Sequence, residues 1–274
     1  STYGFRLILL GLVKKICGAD VLKQYVDAVF GNVYAYKGPA FIVATILYTY
    51  EIYLDFSGYT DMARGAALIL GFDLTENFRA PYLSNGIKEF FGRWHISLSQ
   101  WLRDYIYIPL GGSRVSKSRL VFNLFVVWAL TGIWHGANWP FLAWGLMYFV
   151  LLTVEKLTGL AKKNTWWSHL YTLFFVVIGW VIFKSDGIGE ALTYIKAMFG
   201  MGITGLSDKA VTAYIRQNWI FYVLALVGCV PVIPWIDSKL KDKKAQLEKS
   251  LEKIKKEIKD NKELSEKLQK LYIF

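Results

Sequence analysis

The chain holds three histidines, His95, His135 and His169, and each stands among aromatic residues. His135 lies in LTGIWHGANW between two apolar runs, with Gly132 and Gly136 close by and Trp134 adjoining it. An ionisable group inside a membrane segment is costly unless paired, so such a histidine points first to function. The structural alternative is a neutral imidazole that bonds a backbone carbonyl and holds a helix turn. His95 lies in FFGRWHISLSQWLRD, four residues before Ser99. On one continuous helix the two would share a face and could hydrogen-bond, as a base and a nucleophile do, but no acid stands at a spacing that would orient the ring. His169, beside Trp166 and Trp167, is expected to be an interface anchor.

The acids Glu51, Asp55 and Asp61 occupy YTYEIYLDFSGYTDMARG, within or beside an apolar run. Two roles fit them equally: a proton relay, or structural ion pairs with Arg64, Arg79 or Arg93. Histidines at 95, 135 and 169 offer no recognisable metal-ligand spacing, and no glycine-rich phosphate loop is present; Gly111–Gly112 reads as a turn before a basic stretch. Cys17 and Cys229 sit in apolar stretches and are expected to be buried packing residues.

The elements that must position these groups follow from composition. Of 274 residues, 54% are hydrophobic and 17% aromatic, and the mean hydropathy is +0.32. These values exclude a disordered or collagen-like chain and point to a membrane protein. The net charge of +11 gathers in gaps between apolar runs and in the tail, which is the positive-inside pattern and not a nucleic-acid footprint.

A bilayer core of about 30 Å needs about 20 mainly apolar helical residues. Residues 39–54, the close pair 120–134 and 139–154, 169–183, and 219–235 meet or approach that length, and residues 3–16 read as the end of a further span. In the polar region 55–112, Ile87, Phe90, Phe91, Trp94, Leu98, Trp101, Leu102 and Tyr105 recur at helical period. They predict one amphipathic helix that lies at the interface or dips between other helices, in a region that lines an internal cavity. Basic loops place 113–119 inside, 135–138 outside, 155–168 inside, 184–216 outside and the C-terminus inside. Residues 1–236 are thus expected to form an all-α polytopic membrane domain. Residues 237–274, with Leu247, Leu251, Ile254 and Ile258 and then Leu264, Leu268 and Leu271 amid Lys and Glu, form an amphipathic cytoplasmic tail. The chain opens at Ser1 and enters an apolar run at once, with no readable signal peptide; it is expected to be the C-terminal portion of a longer protein.

Four strings carry a resemblance: GLVKKICGAD, YLDFSGYTDMARGAALILGFDLTENFRAPYLS, EFFGRWHISLSQWLRDYIYIPLGGSR and LTGIWHGANWPFLAWG. Together they are similar to the membrane-bound O-acyltransferase (MBOAT) family. More narrowly, they resemble its bacterial branch, which serves alginate O-acetylation and D-alanyl transfer in teichoic acid assembly. The resemblance implies a helical bundle around a central tunnel, through which an acyl group passes from a cytoplasmic donor to an outward-facing acceptor. It implies that His135, in the Trp-His-Gly motif, is catalytic and that His95, in Arg-Trp-His-Ile-Ser, is the second polar group of the tunnel.

Moving an acyl group from a thioester to a hydroxyl needs a base and an oxyanion donor, roles that suit His135 and His95 respectively. Trp94, Ser99, Asn138, Glu51 and Asp55 are candidate tunnel residues, while Arg93 and Arg103 are candidates to meet donor phosphates. If the donor is acetyl-CoA, Arg114, Lys117 and Arg119 are further contacts, or else charges that set topology. No bound cofactor is expected. The reading is an O-acyltransferase of the bacterial inner membrane that serves an extracytoplasmic polysaccharide, directly or through an outward-facing partner protein. D-alanyl transfer to teichoic acid is an alternative. A transporter or channel with His95, His135 and Glu51 along a solute path is another, as is a membrane scaffold.

Overall fold

The computed structural model describes residues 2–160, 165–201 and 212–217, with positions 219, 220, 222, 223, 243, 246–248, 250–254 and 256. Residues Ser1–Val230 and Pro231–Phe274 are two separate compact units. In the second, the described residues are helical, with Leu247, Leu251 and Ile254 exposed; the expected tail positions Ile258, Leu264, Leu268 and Leu271 lie outside the described residues, as does Cys229.

The first unit is all-α. Helices α1 (Thr2–Val13), α2 (Asp20–Phe30), α3 (Gly38–Ile69), α4 (Ile87–Arg93), α5 (Ile96–Leu102), α6 (Lys117–His135), α7 (Trp139–Thr158), α8 (Trp166–Lys184) and α9 (Ile188–Met198) follow one another. Among the described residues the β-type pairing is one isolated bridge, Phe78 with Trp94. Helices α7 and α8 are long and apolar enough to cross a membrane. The run expected over 39–54 is the first half of α3, which is 32 residues long in all and passes through Asp55 and Asp61. Of the stretch expected over 219–235, only positions 219, 220, 222 and 223 are described, all helical.

Helix α3 carries the bundle, with α1, α2, α8 and α9 packed on it. Its antiparallel contact with α1 is made backbone to backbone. A methyl group at Gly4 would meet the Gly65 carbonyl, and one at Gly11 the Gly58 carbonyl, with the reverse substitutions equally obstructed. Small residues at such a seam let two helices approach closely where no hydrophobic effect drives them together. The acids of α3 pair with lysines of the π-helical turn Lys14–Ala19: Lys14 with Asp61 at 2.7 Å, and Lys15 with Asp55 at 2.7 Å and Asp20 at 2.8 Å. The arginines expected as partners are engaged elsewhere, Arg64 with the Leu74 carbonyl, Arg79 with Glu76 and Arg93 with Glu89. The same turn leaves Cys17 exposed and not packed inside.

The single amphipathic helix expected over 87–105 is broken at Trp94–His95. His95 adopts a left-handed backbone (φ 47°, ψ 56°), so α4 ends and α5 begins in a new direction. Asn77 fixes the break. Its carbonyl accepts from Ile96 N and its side-chain Oδ1 from Ser97 N (3.0 Å) and Ser97 Oγ (2.7 Å). The Trp101 and Tyr105 rings, placed by periodicity on the apolar face, are consequently exposed.

Candidate functional site

A cavity of about 1340 Å3 opens within the first unit. Six of the residues singled out in the sequence line it: His95, His135, Trp94, Ser99, Arg103 and Asp55. Arg93, Asn138 and Glu51 do not. Arg93 is tied to Glu89 at 2.6 Å. Asn138 caps α7, accepting from Trp139 N at 2.8 Å and donating to the Asp186 carbonyl at 3.2 Å. Glu51 is buried on α3, and its Oε2 has no hydrogen-bond partner among the described residues.

The two histidines arrive from different elements. His135 is the last residue of α6, where Gly136 (φ 155°) ends the helix. Its ring meets Trp144 at 5.2 Å and Phe183 at 5.0 Å, both nearly perpendicular. His95, raised on the left-handed hinge, stands edge-on to Phe56 at 4.7 Å. Trp134 lies within ring-contact range of both, 4.9 Å from His135 and 6.1 Å from His95. Edge-to-face geometry of this kind fixes ring orientation more tightly than apolar burial alone.

Three lining residues hold buried polar atoms without partners. His95 Nδ1 and the indole Nε1 atoms of Trp144 and Trp180 are buried with no hydrogen bond among the described residues. Native interiors satisfy nearly all such atoms, so these three, on residues that line a cavity, are atoms that a ligand could partner. Ser99, in contrast, is already committed. Its hydroxyl donates to the Phe91 carbonyl at 2.9 Å, and only its backbone N–H reaches the His95 carbonyl. The break between α4 and α5 thus replaces the expected His95–Ser99 side-chain pair.

Along α7 the lining runs from Trp144 to Lys156, about 18 Å at the helical rise. Aromatic rings contact both histidines, and the lining also holds Lys15, Lys88, Arg103 and Lys156 with Asp55 and Glu155. His169, expected as an interface anchor, donates from Nδ1 to the Ser84 carbonyl at 3.0 Å and so holds the turn (Pro81–Leu83) that leads into α4.

Sequence reasoning missed Glu155, which opens the stretch 155–168 expected as an inside loop and instead belongs to α7. It is buried, and its carboxylate accepts Ile87 N at 2.6 Å and Lys88 N at 3.1 Å. An acid directly ending a long apolar run was the available signal. The Gly132–Gly145 contact between α6 and α7 was missed as well, although both glycines stand in apolar runs flanking His135.

A profile of MBOAT, the membrane-bound O-acyltransferase family, matches residues 1–184. The chain is 43% identical over 208 residues to a probable alginate O-acetylase of Pseudomonas syringae pv. tomato, a match covering 75% of this chain and 40% of that protein. It is 35% identical over 204 residues to a peptidoglycan O-acetyltransferase of Helicobacter pylori, covering 72% and 39%. It is 37% identical over 157 residues to a teichoic acid D-alanyltransferase of Bacillus subtilis, covering 50% and 40%. The chain spans about two fifths of the length of these relatives.

Proposed function

The chain belongs to the membrane-bound O-acyltransferase family, and from that premise we propose that it is the histidine-bearing part of an enzyme that moves acetyl groups across a bacterial inner membrane. The donor is a cytoplasmic thioester such as acetyl-CoA. The acceptor is an extracytoplasmic polysaccharide hydroxyl, reached directly or through a serine of an outward-facing partner protein. The observation that carries this reading is the meeting of His95 and His135, forty residues apart in sequence, in the lining of one cavity.

In the reaction the acceptor hydroxyl oxygen attacks the thioester carbonyl carbon while His135 takes the hydroxyl proton. His95 donates to the developing oxyanion, the C–S bond breaks, and the proton passes to the departing thiolate. Arg103 and Lys156, both in the lining, suit the phosphates of the donor. In this topology residues 113–119 face the cytoplasm and residues 135–138 the outside. Residues 1–236 act as the membrane domain and 237–274 as a cytoplasmic tail.

Acetyl transfer is favoured over D-alanyl transfer because the acetyltransferase relatives match about three quarters of the chain and the D-alanyltransferase half of it. The test is transfer of label from acetyl-CoA to cell-surface polysaccharide by the full-length protein, wild type against His135→Ala at matched membrane levels. Label lost with normal protein abundance supports the reading. Equal labelling removes His135 as the base.

A further inference from the structure

The segments that carry the two histidines meet each other through rings, Phe91 against Trp128 at 4.5 Å, and helix α7 packs on both of them. At its start α7 holds α6, the helix that ends in His135: Gly145 lies against Gly132, and Trp144 stacks edge-on against the His135 ring. Near its end the same helix holds α4, the short helix that ends at the His95 hinge, through Glu155.

The first turn of α4 has backbone N–H groups with no partner inside the helix. Ile87 is fully buried, so its N–H has no water to turn to. Glu155 supplies one carboxylate oxygen to Ile87 N and the other to Lys88 N, at 2.6 and 3.1 Å. A two-point contact fixes an angle as well as a position. A second clamp closes the turn from within: Glu89 accepts Asn85 N at 2.9 Å and Arg93 at 2.6 Å. From there α4 runs only seven residues to Arg93, whose carbonyl accepts Arg79 N, and then to Trp94 and His95. A helix of that length transmits a tilt at its first turn directly to its last.

We propose that Glu155 is a positioning residue for acyl transfer: by holding the first turn of α4 it sets where His95 stands relative to His135. This rests on the acyl-transfer reading above, and its test therefore needs one readout that does not depend on activity.

That readout is amide hydrogen exchange over residues 85–95 in the full-length protein in detergent, compared among wild type, Glu155→Gln and Glu155→Asp. Gln keeps one acceptor and sets an N–H2 group against the second donor; Asp keeps both acceptors on a shorter arm. In Glu155→Gln, exchange at Ile87 and Lys88 should speed by about tenfold or more while α6 and α8 are unchanged. Labelled acetyl transfer should show kcat down about tenfold, KM for acetyl-CoA within about threefold, and partial recovery in Glu155→Asp. Unchanged exchange at 87–88 would overturn the latch itself. Faster exchange with unchanged kcat would overturn its positioning role. A wild type with no transfer would count against the acyl-transfer reading, and with it the role in transfer, while the exchange data still decide the latch.

Discussion

Gly145 of α7 packs directly on Gly132 of α6: a Cβ built at 145 lies 3.3 Å from the Gly132 Cα, and one built at 132 lies 2.6 Å from the Phe141 carbonyl oxygen. The two backbones touch at the point where α6 is about to end in His135 and α7 is about to pass Trp144 across that ring. A side chain at either position must push the helices apart. Gly145→Val is expected to cost about 1–3 kcal/mol of stability. Thermal unfolding in detergent checks the loss, and acetyl transfer should fall further than the folded fraction does, because the His135 ring loses its wall.

The hinge at His95 separates backbone strain from ring chemistry. A non-glycine residue at φ 47° is tolerated best as glycine or asparagine and worst as a β-branched residue. His95→Gly and His95→Asn should therefore stay within about 1 kcal/mol of wild-type stability, while His95→Val loses about 2 kcal/mol or more. All three should lower transfer by about a hundredfold or more if the ring stabilises the oxyanion. Transfer retained in His95→Asn beyond a tenth of wild type would remove His95 from that role.

Lys14 and Asp61 form a pair at 2.7 Å with side chains only 17% and 15% exposed. Each single replacement, Lys14→Met or Asp61→Leu, leaves the other charge poorly solvated and should destabilise by about 1–3 kcal/mol. The double variant should recover part of that loss. A double-mutant cycle from melting curves measures the coupling, and a coupling near zero would mean that the Lys14–Asp61 pair contributes nothing to the docking of α1 on α3.

Asn123 is fully buried on α6, and its Nδ2 donates to the carbonyls of Leu110 and Gly112 at 3.1 and 3.2 Å. It thereby anchors the turn at Gly111 and Gly112, both of positive φ, that follows the α5 segment. Asn123→Ala is expected to cost about 1–3 kcal/mol. Limited proteolysis should show faster cleavage at residues 112–116 in the variant, with α7 and α8 still protected.

Much of the fold is legible in the amino-acid sequence itself. Apolar runs broken by basic loops place helices over 120–134, 139–154 and 169–183, within the observed α6, α7 and α8, because burying backbone amides in an apolar setting leaves a helix as the local solution. The motifs around His135 and His95 stood out too, through their resemblance to the membrane-bound O-acyltransferase family and not through local spacing, which left a structural role for His135 open.

What the tertiary structure decided are the relations carried by contacts distant in sequence. Periodicity from 87 to 105 favours one helix, and it breaks because Asn77, twenty residues from Ser97, caps a new start there and holds His95 left-handed. Glu155 reaches Ile87 across 68 residues, and Lys14 reaches Asp61 across 47. Side-chain type and spacing report which face of a local helix is apolar. They do not report which buried amide a distant carboxylate will satisfy, nor which glycines two helices will bring together, because those choices are settled by the packing of the whole bundle. Residue chemistry therefore named His95 and His135, and the backbone contacts among α4, α6 and α7 placed them in one cavity.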